Sequence, residues 1–370
     1  MKIVLLVAGS RGGSDFFQSL LDGHDQISQL PGLLRYDKQF SELLNSKKIE
    51  NIPKEFIKIY PHYFDSRITK NNFIERHNQL GKNCNKYYLV NKKKFEINFI
   101  KLAKKKEKSR SNNLIFLHLS YSKACNEIIK KKKILVINIH LVAWATYLVR
   151  DLQYKNIDII HTLRHPLSAV SSSVKNWLRY KNGKFFDFAS LYHQLDLILN
   201  GIDDLMKLKK KIKIIQLEKI HRENLIIMKE FCKIYKIKFI SILTKSTFQK
   251  KLWWGDKVSS KYLNGVNKNF KISHDQNIFF NRDLVIFKNL FSNIAKFYNY
   301  TLQADKKGVN LNLYVPLKIE LLVLLNLVKN FKLISILKVP YFFIKRITLF
   351  KKRRKKKQFP YSLGSVKLIN

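Results

Sequence analysis

Apolar residues gather in short unbroken runs. Residues 2–8, 134–139 (ILVINI), 157–163 (IDIIHTL) and 212–217 (IKIIQL) are rich in β-branched side chains and have the length of strands covered on both faces. A helical pattern follows each run. Residues 15–22 place Phe16, Phe17, Leu20 and Leu21 on one side with Gly23 at the end, and helices are predicted likewise over 141–152, 166–180 and 222–235. Alternation of this kind predicts an α/β chain: a parallel sheet with right-handed crossovers between two helical layers. Residues 281–298 predict a further amphipathic helix, with Leu284, Phe287, Phe291, Ile294 and Tyr298 in register.

Two regions break the pattern. Residues 38–133 are lysine-rich and weakly periodic. They read as a largely helical insertion over the sheet's carboxyl edge, where open α/β proteins hold ligands, or as surface decoration. Residues 317–350 are apolar but interrupted by Lys318, Glu320, Lys329, Lys332 and Lys338, so no stretch reaches the roughly 20 uncharged residues of a spanning helix. The run KKRRKKK follows at 351–357. Such a segment suits peripheral contact with an anionic membrane face, or it packs on the domain and leaves the basic run solvated. The expected division is a domain over 1–305 and a basic, partly amphipathic tail over 306–370.

The first strand runs into VAGSRGGSDFF, residues 7–17. Strand, glycine loop and helix together aim backbone N–H groups at one point, an arrangement suited to phosphate or sulfate. At 370 residues and 46% apolar the chain can bury a large core. Lys plus Arg outnumber the acids 71 to 26, a net +45, but the excess is spread along the whole chain as a compositional bias, so no nucleic-acid partner is expected. Cys84, Cys125 and Cys232 are far apart, without metal-ligand or disulfide spacing. The loop begins at position 9, which leaves no room for a leader, and the expected location is cytoplasmic, at most peripheral on the inner membrane face.

An ATP or GTP loop needs a lysine after its last glycine, where this chain has Ser14; Gly9, Gly12 and Gly13 do not fit a dinucleotide fingerprint. With its cation inside the loop, Arg11-Gly12-Gly13-Ser14-Asp15 resembles the 5′-phosphosulfate loop of sulfotransferases that use 3′-phosphoadenosine 5′-phosphosulfate (PAPS). Gly12 stands where that family usually has serine, and Asp15 puts a carboxylate near the anion unless it turns away or caps the helix. IIHTLRHPLSAVSSSVKNW, residues 159–177, resembles the family's 3′-phosphate motif, with Arg164 at a strand end, Pro166 opening a helix and Ser172 eight positions on. Ser168, Ser172, Lys175 and Arg179 share a face of that helix.

The resemblance implies a P-loop-like sulfotransferase fold and transfer of a sulfuryl group from PAPS to a hydroxyl, with a glycan or glycolipid as the expected acceptor and no metal required. It implies that Arg11, Gly12, Gly13 and Ser14 bind the 5′ end and Arg164 and Ser172 the 3′ phosphate. His140, closing the second strand, fits the general base found there in one branch of the family, with His118, His62 and Glu75 as alternatives. Glu218 matches a strand-end acid read as structural. LWWGDKVSSKYLNGVN, residues 252–267, resembles a late Trp-x-Gly loop, in which Trp253, Trp254, Lys257 and Ser259 are placed to contact cofactor or, for the tryptophans, to anchor the core. Two other classes stay open: a non-catalytic membrane-associated or polyanion-binding protein on the same scaffold, and a P-loop kinase or NTPase.

Overall fold

The apolar runs become the centre of a six-stranded parallel sheet. The computed structural model describes the chain except residues 10, 70–75, 180–182, 184–185, 256–264, 275, 304–313, 331–335, 338, 356–365 and 370. Its strands are β1 (Lys2–Gly9), β2 (Ile27–Leu33), β3 (Ile134–His140), β4 (Ile157–Leu163), β5 (Lys211–Gln216), a separate hairpin of β6 (Thr247–Phe248) and β7 (Lys251–Leu252), and β8 (Val366–Leu368). The large sheet has the order β2-β3-β1-β4-β5-β8, every pair parallel.

Both faces of β1 are buried. Ile3, Leu5 and Val7 enter one hydrophobic core and Val4 and Leu6 the other, as the period-two geometry of a strand requires. Helix α1 (Ser14–Leu20) lies on the second face. The insertion supplies α2 (Lys38–Leu44), α3 (Asn51–Ile59), α4 (Pro61–Phe64), α5 (Lys92–Ala103) and α6 (Arg110–Ala124). On the first face follow α7 (Val142–Leu152), α8 (Pro166–Arg179) and α9 (Phe188–Met206). Helices α10 (Leu217–Arg222) and α11 (Asn224–Tyr235) join α1, and α12 (Asn281–Phe297) joins the first face. The α/β class and all four expected strands are therefore present.

Strands β2 and β8 are additions to the expected set. In ISQLPGL, Pro31 and Gly32 break the apolar run, and pairing with β3 holds over Ile27–Gln29, lapses, and resumes at Leu33 opposite Asn138. β8 comes from the far end of the tail and pairs with Ile212–Ile214, so the tail closes one edge of the sheet.

The insertion is not mere decoration. Its rings, among them Phe40, Phe56, Tyr60, Tyr63, Phe64 and Phe95, pack in the core that also holds the first face of the sheet. Asp151 of α7 fixes the insertion by accepting from Tyr36 Oη at 2.6 Å, Ser41 Oγ at 2.7 Å and Arg110 Nη1 at 3.2 Å.

Two tail helices, Lys318–Lys329 and Val339–Lys355, each press one side against the domain. Phe342 stacks between Phe188 and Tyr192 of α9 at 5.5 and 5.6 Å. Buried Arg346 pairs with Glu320 at 3.0 Å, and Tyr192 Oη donates to the same carboxylate oxygen at 2.6 Å. Among the described residues no helix is long and apolar enough to cross a membrane. Removing one partner of such a pair leaves the other charged and buried. Arg346→Met is expected to lower the unfolding free energy in urea by roughly 3–5 kcal/mol, and a loss below about 1 kcal/mol would show that the tail is held by other contacts.

Candidate functional site at the carboxyl edge of the sheet

The glycine loop leaves β1 beside the end of β4, because parallel pairing puts Gly9 opposite Leu163. Gly12 then rests directly on the β4 backbone: a β-carbon there would lie 2.3 Å from the Thr162 carbonyl oxygen and 2.9 Å from Leu163 Cα. A residue with any side chain at this position would have to displace the β4 backbone. Gly13 has φ +83° and Arg11 +49°, so the chain reverses sharply before α1 begins at Ser14. Helix α1 has only seven residues, and the positive character of the site comes mainly from side chains.

Arg164 follows β4 immediately, two residues beyond the backbone on which Gly12 sits. Burial pushes its pKa below the usual arginine value; Glu218 opposes the shift, and the nearby Arg11 cation adds to it. Among the described residues the buried Nε of Arg164 has no hydrogen-bond partner, and neither has the buried Oγ of Ser168 one turn into α8. Ser172 lies half-buried a further turn along. Glu218 accepts from the His165 N–H at 2.9 Å and from Tyr300 Oη at 2.5 Å, so this buried acid fixes the turn that carries Arg164.

His140 arrives from the other side of β1. The β1–β3 register slips there, setting Val7 opposite His140 and skipping Ile139. The Leu141 N–H donates to the Ile139 carbonyl at 2.6 Å, closing a three-residue turn around His140, whose φ is +59°. That is the rare, strained hand of the γ-turn, and it aims the imidazole at the loop. Nδ1 lies 3.0 Å from Ser14 Oγ. Burial lowers the His140 pKa below 6.5; Asp15 partly offsets this, and Arg11 lowers it further. The ring is neutral at pH 7. If Nδ1–H donates to Ser14, Nε2 keeps a lone pair for accepting a proton.

Asp15 turns away from the glycines. Its Oδ1 accepts from Asn138 Nδ2 at 2.8 Å and lies 3.9 Å from Nη2 of Arg76. Asn138 also donates to Gln18 Oε1 at 3.2 Å, and Gln18 donates to the Leu30 carbonyl at 2.7 Å, which ties α1, β3 and β2 into one polar network. Arg76 comes from the insertion and is buried with its guanidinium 4.1 Å from the Phe248 ring centroid and 5.6 Å from that of Trp253. Nothing in the lysine-rich sequence around residue 76 distinguishes this cation, since the rings that shelter it lie more than 170 residues away.

The remaining expected residues are dispersed. Trp253 is a buried anchor against Phe248, and Trp254 donates its indole N–H to the Gly81 carbonyl at 2.5 Å, so the Trp-Gly segment is fastened to the insertion. Burial pushes His62 and His118 down to about 3, with Arg76 adding to the effect on His62. Glu75, Lys257 and Ser259 and the Arg179 side chain lie outside the described residues. A further feature had no local signal: His221 stacks between Phe16 at 4.4 Å and Phe270 at 4.6 Å, and Arg164 lies 5.7 Å from the Phe270 ring. This ladder joins the first loop to the Arg164 turn.

The site thus joins two cations, a neutral imidazole and buried donors that have no partner among the described residues, a set suited to an extended polyanion and a proton transfer beside it. No family model matches the chain, and no curated protein does. Among solved structures it is similar to a sulfotransferase domain from the Synechococcus PCC 7002 olefin synthase, at 12% identity, a TM-score of 0.35, and coverage of 70% of this chain and 79% of that one.

Gly12→Ala is expected to force the loop off β4, costing about 1–3 kcal/mol of stability and weakening anion binding. Urea unfolding together with sulfate titration would check both, and an unaffected variant would show that the close packing of loop on strand is dispensable.

Proposed function

We propose that the chain is a sulfotransferase that uses PAPS and delivers a sulfuryl group to a hydroxyl, with a carbohydrate or glycolipid as the acceptor class. What carries the reading is the meeting of Arg11, Arg164 and His140 at one rim, with the buried Nε of Arg164 unpartnered among the described residues. A nucleotide with anions at both ends of its nucleoside satisfies two separate guanidinium groups, whereas an ordinary triphosphate puts its whole charge at one end. The missing lysine after Gly13 argues in the same direction.

When bound, PAPS supplies the activated sulfuryl group. Arg11 and the amides of Gly12, Gly13 and Ser14 would hold the 5′ anion and offset charge on the departing oxygen. Arg164 and Ser172 would hold the 3′ phosphate, with Ser168 one turn closer to the strand end. Ser14 orients the imidazole, and His140 Nε2 takes the acceptor's hydroxyl proton. Asp15 favours the imidazolium that results, because it raises the His140 pKa. The carboxylate that looks hostile to an anion in the sequence thereby gains a role beside the base.

Calorimetry tests the binding half. Adenosine 3′,5′-bisphosphate should bind more tightly than adenosine 5′-monophosphate, and Arg164→Ala should remove roughly ten- to a hundredfold of that preference. Equal affinities for the two nucleotides in the parent protein would exclude the site.

The catalytic half is read from pH. With His140 held below 6.5, turnover should persist below pH 6.5 and fall only as the imidazole charges. Asp15→Asn removes an influence that raises the pKa, so the acid limb should move to still lower pH, while His140→Ala should keep nucleotide binding and lose turnover. An acid limb that Asp15→Asn leaves in place would remove His140 from the role of base.

A further inference from the structure

The tail helices bury one side against the domain and leave the other exposed. On Lys318–Lys329, Ile319, Glu320, Val323 and Leu327 are buried, while Leu321, Leu325 and Val328 face outward at spacings of four and three. Before and along Val339–Lys355 the same spacing recurs in Leu337, Tyr341 and Ile344, opposite buried Arg346 and Phe350. These six side chains range from 36% exposed for Leu321 to 80% for Leu337. Among the described residues each tail segment therefore carries an exposed apolar row at helical spacing.

Charge identifies what the stripes meet. Residues 317–370 contain fourteen Lys and Arg and a single acid, Glu320, which is buried against Arg346. The positive field of the tail is thus uncompensated within the tail itself. Exposed Lys329 and Lys345 adjoin Val328 and Ile344, Lys351 lies two turns beyond Ile344 on the same stripe, and the KKRRKKK run starts there. Aliphatic side chains flanked by lysines match the boundary of an anionic bilayer, where the apolar face enters the acyl region and the long cationic chains reach back to the headgroups. A nucleic acid would engage the lysines and leave Leu325, Leu337 and Ile344 in water.

We infer that this two-helix face docks on anionic phospholipid membranes, independently of any chemistry at the glycine loop. The Glu320–Arg346 pair links the two helices, and Tyr192 of α9 donates to the same carboxylate, so both stripes belong to segments tied to the domain.

The test is co-sedimentation of the full chain with vesicles of phosphatidylglycerol in phosphatidylcholine. Binding should be strong at low salt, weaken as salt is raised, and be at least roughly tenfold weaker to pure phosphatidylcholine. Leu325→Glu with Ile344→Glu should reduce binding to anionic vesicles by about tenfold or more with thermal unfolding unchanged. Leu325→Ser with Ile344→Ser provides the same comparison without added charge. The inference is overturned if the parent chain stays in the supernatant, or if folded Glu and Ser variants bind like the parent. It is equally overturned if the chain binds a DNA duplex more tightly than the anionic vesicles, which would mean that charge alone is at work.

Discussion

The site depends on a contact without side chains: the backbone of Gly12 against the backbone that ends β4. Parallel pairing of β1 with β4 brings Gly9 level with Leu163, and the next residues must turn over the neighbouring strand. Any β-carbon at position 12 would hold the two segments apart. Because they touch, Arg11 and Arg164 come from strands adjacent in the sheet and lie close enough for one to depress the pKa of the other. Mutual repulsion of two such cations costs free energy.

A second constraint keeps that arrangement neutral where neutrality matters. The strained turn at His140 projects its ring toward Ser14, and burial with Arg11 nearby keeps it uncharged. Asp15, Asn138 and Gln18 link the start of α1 to β3 and β2, so the loop and the edge strand share one hydrogen-bond network. Arg76 arrives from the insertion to face the Asp15 carboxylate while its own charge is stacked on Phe248. The insertion therefore completes the polar balance of the site as well as extending the aromatic core.

The tail shows how one segment meets two demands. Its inward side carries a buried ion pair and stacked rings, and its last described strand closes the sheet. Its outward side carries the apolar stripes. In the sequence these two sides are interleaved at helical spacing, which explains why the pattern alone did not separate the residues that pack on the domain from those that stay exposed.

The sequence by itself determined the four inner strands, the helices after them, the glycine turn around Arg11 and the places of His140 and Arg164 at strand ends, because these are local matters of periodicity, backbone freedom and strand length. It did not reveal β2, whose Pro31 and Gly32 disguise it, nor β8, three residues defined only by what they pair with. Tertiary structure alone decided that Gly12 is steric, that Asp15 turns to Asn138, that Trp254 binds the insertion, and that Arg76 and the Phe16–His221–Phe270 ladder belong beside the loop. Each of these depends on contact between segments far apart in the chain, and no local pattern of residue types records which distant surface will arrive.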